Sequence, residues 1–238
     1  MTHPAHCLIG ANSTIAKTLI KTLLAKGDRV HLIARQENGL EDFISHENVT
    51  FATADVTDHG ALKQAIQGND FSYESLVYFP GSIVLKGLKA IKNEDVDSHF
   101  SINTKGALFA AQFAEQKLKS ANGSVVFISS VAAQKGFMKH ALISMCKAAL
   151  EGLTVALAKE LSPHIRVNCI APSLTKTALS ESLVSAPAVA KALGDAHAMK
   201  RLGEATDIAS AIEFLISQQS SWITGQMIPV DGGRSTLD

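Results

Sequence analysis

The sequence predicts an α/β fold: a doubly wound parallel sheet of seven strands with helices on both faces. Short runs rich in β-branched residues alternate along the chain with longer segments whose apolar residues recur at helical spacing. A glycine stands between the first strand and the first helix, as is typical of a strand–helix turn. Such alternation favours right-handed crossovers and therefore parallel strands.

Seven runs are strand candidates because each is short, apolar and bounded by polar or turn residues. In chain order they are Cys7–Ile9, Val30–Ala34, Val49–Ala52, Ser75–Phe79, Ser124–Ser129, Arg166–Ile170 and Met227–Val230. The clearest helical stripe follows the first strand, where Ile15, Leu19 and Leu23 recur every four residues. No linker, repeat or low-complexity tract divides the chain, so we expect one domain over residues 1–238.

One interval, residues 173–201, follows the sixth strand and returns late to the sheet. It is rich in alanine, serine and leucine, with Pro187 and Gly194 as expected helix breakers. Ligands of open α/β sheets bind beyond the carboxyl ends of the strands. The interval is therefore predicted to be a mobile substrate lid, and a plain surface insertion is the alternative.

Composition excludes several functional classes. Lys and Arg together number 22, equal to Asp and Glu, so no basic surface for nucleic acid or an anionic membrane is expected. Three unpatterned cysteines and nine scattered histidines predict neither disulfides nor a metal site. The first residues lack the pattern of a signal peptide, and no stretch approaches the ~20 apolar residues of a membrane span. We expect a cytoplasmic protein.

Several motifs occur in a fixed order. The tail runs from Arg201-Leu202-Gly203 through Thr224-Gly225-Gln226 to Asp231-Gly232-Gly233. Upstream lie GSVVFISSVAAQKG and IRVNCIAPSLTKT, preceded by Asp55-Val56 after the third strand and by Asn103 in FSINTKGALF. From residue 6 to about 234 the chain resembles the short-chain dehydrogenase/reductase family. The resemblance implies a Rossmann-type fold and hydride transfer between a nicotinamide cofactor and a carbonyl or alcohol.

The turn after the first strand departs from the family pattern T-G-x-x-x-G-x-G. Gly10 keeps the first glycine, whereas Thr14 and Ala16 occupy the other two positions. A helix N-terminus at this turn offers N–H groups and a positive dipole to a pyrophosphate. The resemblance assigns cofactor binding to Gly10, Asn12, Ser13, Thr14, Ile15, Arg35, Asp55, Val56, Pro80, Gly81, Lys147, Pro172, Leu174, Thr175 and Thr177.

The choice between the two nicotinamide cofactors depends on the end of the second strand. Members that use NAD usually have an aspartate there, which takes the ribose 2′-hydroxyl. This chain has Ala34 followed by Arg35, and a guanidinium matches a 2′-phosphate. NADP(H) is therefore favoured over NAD(H). An ordinary solvated arginine is the alternative.

The resemblance also assigns catalytic roles. Ser130 would hold the substrate oxygen, Lys147 would bind the nicotinamide ribose, and Asn103 would support a water beside the lysine. Ser129 could share the role of Ser130, although the spacing favours Ser130. The family's tyrosine, in the pattern Y-x-x-x-K, falls on Ile143, which cannot carry a proton.

His140 is a candidate substitute for that tyrosine. It lies seven residues before Lys147, two helical turns away, so both side chains project from nearly the same helix face. Family members that reduce enoyl thioesters place their tyrosine at this spacing. An imidazole can act as a general acid near neutral pH. A solvated or capping histidine is the alternative, and Ser144 is a weaker candidate for the same role.

Two further departures bear on the site. The fourth strand ends Tyr78-Phe79-Pro80-Gly81 where the family has N-N-A-G, and Ser173 replaces the glycine of a P-G turn.

Small residues at Ala148, Gly152 and Ala156 form a stripe on the helix that carries Lys147. In the family this helix builds a dimer interface, so a homodimer or homotetramer is expected. Packing of the stripe on the chain's own sheet is the alternative.

The sequence thus predicts an NADP(H)-dependent oxidoreductase acting on a small carbonyl, alcohol or enone with an unusual proton donor. The alternative, from a different class, is a dinucleotide-binding sensor or partner subunit with little or no turnover. Ile143 and the thinned glycine motif favour the alternative. The retained Ser130, Lys147 and Asn103 favour the enzyme, because a protein that only binds has less need of the proton-handling set.

Overall fold

The central sheet has seven parallel strands in the order β3-β2-β1-β4-β5-β6-β7, which confirms the predicted fold class. A computed structural model describes residues 3–237. All seven predicted strands are present, with small differences at their ends. β6 runs two residues further than predicted because Ala171 and Pro172 still pair with β7. The strands are Ala5–Ile9 (β1), Arg29–Ala34 (β2), Val49–Thr53 (β3), Ser75–Tyr78 (β4), Ser124–Ile128 (β5), Arg166–Pro172 (β6) and Met227–Val230 (β7).

Helices cover both faces of the sheet. The α-helices are Thr14–Ala25 (α1), Glu41–Ile44 (α2), His59–Gln67 (α3), Asn93–Phe100 (α4), Gly106–Lys119 (α5), Ala141–Leu161 (α6), Glu181–Val184 (α7), Pro187–Asp195 (α8) and Ala205–Ile216 (α9). One π-helical turn, Ser101–Lys105, joins α4 to α5.

Two apolar cores fix the layers on either side of the sheet. On one side the predicted stripe of α1 packs with α9, where Leu19 and Ile212 are fully buried. On the other side α3, α5 and α6 cover the sheet, and buried alanines such as Ala110 and Ala114 bring α5 close to the strands. Because helices cover both faces of the parallel sheet, successive residues of its strands are buried, which explains their near-continuous apolar runs.

α6 corrects one expectation. The helix has 21 residues, and an 18-residue window within it has a mean hydropathy of 1.6, which by length and composition alone suffices for a membrane-spanning helix. The expectation that no stretch approaches such a span is therefore wrong for this segment. The apolar composition follows from its position, because Leu150 and Ala158 pack in the core on this side of the sheet, and Leu142 and Cys146 are also buried. Two charged residues, Lys147 and Glu151, are buried in the same helix.

The opposite face of α6 carries the predicted small-residue stripe. Ala148, Gly152 and Ala156 are all exposed, so the alternative in which the stripe packs on the chain's own sheet is wrong. A Cβ added to Gly152 would meet no atom within 4 Å. This face is therefore open to close approach by another helix.

The interval 173–201 forms two short helices, α7 and α8, over the carboxyl ends of the strands. Pro187 occupies the first turn of α8, where its missing N–H costs nothing, so it begins a helix rather than breaking one. Gly194 also lies inside α8, against the backbone of Arg201. The backbone N–H of Ala178 donates to Thr14 Oγ1 (3.3 Å) and ties the interval to α1.

Candidate active site

One large cleft opens at the carboxyl ends of the strands. It has a volume of about 1220 Å³ and spans the point between β1 and β4 where the strand order reverses. Ligands of open α/β sheets bind at this point. The residues assigned to catalysis and cofactor binding line the cleft, together with side chains from the interval 173–201, whereas the weaker candidate Ser144 is not among its lining residues.

The turn after β1 has the geometry of an anion site. Gly10 has φ +79°, and a Cβ there would lie 2.9 Å from Pro80 Cδ, so only glycine fits. The N–H groups of Gly10 and Ala11 donate to Ile33 O at 2.8 and 3.2 Å. The side chain of Ser13 does not cap α1, which leaves the first-turn N–H groups to the cleft. Together with the helix dipole, these groups fit a pyrophosphate.

The end of β2 contributes a cation to the same part of the cleft. Arg35 is exposed at the cleft wall beside the buried Ala34. Asn12 Nδ2 donates to Asn38 O (2.6 Å) and joins the loops that follow β1 and β2. Across the cleft, hydrogen bonds from Thr57 N and Oγ1 (2.8 and 2.7 Å) lower the pKa of Asp55.

Lys147 is the buried cation of the cleft. Its Nζ donates to Ile128 O at the end of β5 (2.7 Å), and 7% of the residue is exposed. Burial lowers the pKa of Lys147 to about 8, because desolvation disfavours the charged form. The Lys147 amino group can therefore exchange a proton around pH 8.

Asn103 lies beside Lys147, in the π-helical turn. Its Nδ2 donates to His99 O (2.9 Å) and Ser82 Oγ (3.0 Å), and its Oδ1 accepts from Ser82 N (3.4 Å), which fixes the amide beside Gly81. A Cβ on Gly81 would lie 3.2 Å from Asn103 Oδ1 and 3.5 Å from Lys147 Nζ. π-Helical turns are rare in proteins, and those that occur are often found at functional sites.

The two serines after β5 have different surroundings. Ser129 Oγ donates to Glu151 Oε1 (2.9 Å) and is buried, so its hydrogen is committed to that carboxylate. Ser130 begins a short 3₁₀ turn, where its Oγ accepts from Ala132 N (3.2 Å), and it lines the cleft. The hydroxyl hydrogen of Ser130 is thus available to a ligand oxygen.

Ile143 and His140 occupy the first turns of α6 along the same cleft wall as Lys147. Ile143 is 3% exposed and lines the cleft one turn before Lys147. His140 is the N-cap residue of α6, with its Nδ1 2.8 Å from Met138 O. Because a carbonyl only accepts, Nδ1 carries a hydrogen, and the proton that an imidazolium could release is on Nε2.

Neither tyrosine of the chain lines the cleft. Tyr78 donates to Ile102 O (2.6 Å) and Tyr73 donates to Ile66 O (2.8 Å), and both rings are fully buried. Burial raises the pKa of each phenol far above its ordinary value. No tyrosine can therefore act as the acid in this cleft.

Several cleft residues were not predicted from the sequence. His197 lies at the end of the interval 173–201, and Arg234 follows the Asp231-Gly232-Gly233 motif. The Arg234 guanidinium lies over the Phe137 ring (5.5 Å), and that ring contacts His140 (5.3 Å between centroids). The sequence carries only a weak signal for these two residues: His197 precedes the Arg201-Leu202-Gly203 motif, and Arg234 follows the Asp231-Gly232-Gly233 motif.

The fold and the cleft define a Rossmann-type protein in which no side chain caps the helix that follows the first strand. A sequence profile described as Enoyl-(Acyl carrier protein) reductase matches residues 10–235. L-xylulose reductase of Bos taurus is 32% identical over 228 residues, 94% of this chain and 93% of that protein. The chain therefore belongs to the short-chain dehydrogenase/reductase family of oxidoreductases.

Solved structures give the same relationship. ElxO with NADP bound has a TM-score of 0.88 and 26% identity, with 98% of each chain covered. A Tyr-to-Phe variant of ElxO with NADPH bound has a TM-score of 0.87 and 27% identity, again over 98% of each chain. The likeness extends over the whole sheet and its helices.

Proposed function

We propose that the protein is an NADP(H)-dependent oxidoreductase for a small carbonyl or alcohol, or an enone, and that it works without the family's tyrosine. The observation that carries the proposal is the convergence of Lys147 Nζ and Asn103 Oδ1 on Gly81, in a cleft that Ser130 also lines. Burial of a lysine costs free energy, and buried groups with shifted pKa values cluster at functional sites, so this position favours a role for Lys147 in binding.

The residues that would hold the cofactor extend across the cleft. The first-turn N–H groups after Gly10 would bind the pyrophosphate, and Arg35 would bind a 2′-phosphate. Lys147 would bind the nicotinamide ribose, with the segment from Pro172 to Thr177 behind it. When bound, NADP(H) supplies or accepts the hydride. The NADP and NADPH bound to ElxO and to its Tyr-to-Phe variant support this assignment.

The proton would be handled by residues of α6 and β5. Ser130 would donate a hydrogen bond to the substrate oxygen, and Ile143 takes the tyrosine's place. His140, as an imidazolium, would release its Nε2 proton to that oxygen directly or through a water. General acid catalysis contributes about 10²–10⁴-fold. A slower reductase could retain turnover through positioning and electrostatics alone.

Fluorescence titration with NADPH and NADH, followed by NADPH consumption on ketones, quinones and enones, tests the function. We expect tight NADPH binding and turnover of at least one class. Binding without turnover would favour the sensor or partner subunit, and absence of binding would exclude both. The assay then compares His140→Ala with the wild type. An unchanged rate and pH profile would exclude His140 as the acid.

We further propose a homodimer or homotetramer in the cytoplasm, with a second copy packed on α6. The exposed stripe of Ala148, Gly152 and Ala156 supports this assembly, because small residues let helices approach closely. Light scattering of the wild type is expected to give a multiple of the 25.2 kDa chain mass. Gly152→Arg should give a monomer. A monomeric wild type would exclude the proposal.

A further inference from the structure

A serine–histidine pair on the lid side of the cleft carries an inference beyond the cofactor and the reacting carbonyl. Ser173 directly follows β6, and its Oγ lies 2.9 Å from His197 Nε2. The other ring nitrogen, Nδ1, is 2.8 Å from Leu193 O in α8. His197 is 3% exposed, and both side chains line the cleft.

The direction of these two hydrogen bonds follows from their acceptors. Leu193 O can only accept, so His197 Nδ1 must carry the ring hydrogen. In the neutral ring Nε2 is then an acceptor, and Ser173 must donate its only hydroxyl hydrogen to it. What Ser173 presents to the cleft is therefore a pair of oxygen lone pairs with no hydrogen.

The groups around Ser173 Oγ are largely apolar or already hydrogen-bonded within the segment. Thr175 Oγ1 donates to Ser173 O (3.0 Å) and Ser180 Oγ donates to Thr175 O (2.5 Å), so these hydroxyl hydrogens are used within the segment. The rest of the wall is largely apolar, with Leu183, Leu193 and Ala196 among its side chains. A polar ligand group at this wall gains most by donating a hydrogen to Ser173.

We propose that Ser173 is a specificity-determining residue, which selects substrates carrying a hydroxyl group in addition to the reacting carbonyl or alcohol carbon. His197 is its positioning residue, because it holds the Ser173 hydrogen away from the cleft. The substrate class is then a hydroxy ketone or the corresponding diol. The inference rests on the proposed function, since it takes the cleft to be the substrate site of an oxidoreductase.

The test measures binding as well as turnover. Dissociation constants for the NADP⁺-loaded protein are measured, at mildly alkaline pH, for 1,2- and 1,3-diols and for the matched monoalcohols. We expect one diol to bind about tenfold more tightly than its monoalcohol, as one net hydrogen bond allows. Ser173→Ala should bring the two affinities together, and Ser173→Thr, which keeps the hydroxyl, should restore the difference.

Further variants distinguish the contribution of the Ser173–His197 pair from that of the apolar wall. His197→Phe keeps a ring but removes both nitrogens, so it should lower the diol preference. The double variant should lose no more preference than Ser173→Ala alone, because His197 acts through Ser173. Leu183→Ala, a matched change of the apolar wall, should weaken diol and monoalcohol equally.

The inference would be overturned by no diol preference in the wild type, by an unchanged preference in Ser173→Ala, or by additive losses in the double variant. A Ser173→Ala protein with weakened NADPH binding and an intact diol preference would show that the cofactor's amide is the donor, which also overturns it. A diol preference without turnover would leave Ser173 as proposed and exclude only the enzymatic function.

Discussion

The amide oxygen of Asn103 and the ammonium nitrogen of Lys147 meet at a single backbone position. A Cβ on Gly81 would lie 3.2 Å from Asn103 Oδ1 and 3.5 Å from Lys147 Nζ. The two side chains come from different elements, the π-helical turn and α6, and they approach from the same side of the loop after β4. The absence of a side chain at Gly81 therefore makes room for their polar atoms.

Gly81→Ala should disrupt this arrangement, because the added methyl group crowds Asn103 and displaces the Lys147 ammonium. Overpacking of this kind costs about 1–3 kcal/mol of unfolding free energy. NADPH affinity should fall at least about tenfold, through loss of a charge-assisted contact. The matched control is Gly87→Ala in the same loop, where a Cβ meets nothing within 4 Å. Fluorescence titration and urea unfolding measure both effects, and equal effects of the two changes would contradict the prediction.

Burial, which lowers the pKa of Lys147 to about 8, makes cofactor binding dependent on pH. The affinity for NADP⁺ should fall by up to about tenfold per pH unit above pH 8, because an anion favours the charged lysine. Titrations across this range measure the slope. Lys147→Met removes the titrating group and should bind more weakly at every pH, with a smaller slope. Identical slopes would refute the role of Lys147.

The same lowered pKa of Lys147 predicts that stability rises with pH, whereas the cofactor affinity falls. The folded-state pKa of about 8 lies below the ordinary value of 10.5, so the unfolded chain binds more protons between these two pH values. The unfolding free energy of the wild type relative to Lys147→Met should therefore rise as the pH rises through this window. Urea unfolding at several pH values measures it. A constant difference would mean that the lysine titrates normally.

The sequence predicted the sheet and the cleft well because both depend on local patterns. Strand positions follow from short apolar runs, and Lys147 and Asn103 were assigned because their motifs resemble those of the family. The pair of Ser173 and His197 could not be predicted, because its contact depends on how α7 and α8 return over the sheet. The high hydropathy of α6 was likewise missed. Lys147 interrupts its apolar sequence, so a count of consecutive apolar residues does not detect the helix.

Arg35 should decide the cofactor preference. Arg35→Ala is expected to weaken NADPH binding about 10- to 100-fold through loss of a charge-assisted hydrogen bond to the 2′-phosphate. NADH lacks that phosphate and is the internal control, so its affinity should change little. Because Arg35 is exposed, added salt should reduce the preference of the wild type for NADPH. Parallel losses for both cofactors would argue for a general role in folding the loop.

Ile143→Tyr should restore the proton donor that the family places one turn before Lys147. Ile143 is 3% exposed and lines the cleft, so the new ring incurs a packing cost of about 1–3 kcal/mol. Ile143→Phe carries the same cost without the hydroxyl and is the matched control. The tyrosine variant should exceed the phenylalanine variant in kcat by about 10²-fold or more, with Lys147 lowering the phenol pKa. In the tyrosine background His140→Ala should matter less than in the wild type, since the phenol now supplies the proton. Equal rates for the two aromatic variants would mean that Ile143 does not stand at the reacting oxygen.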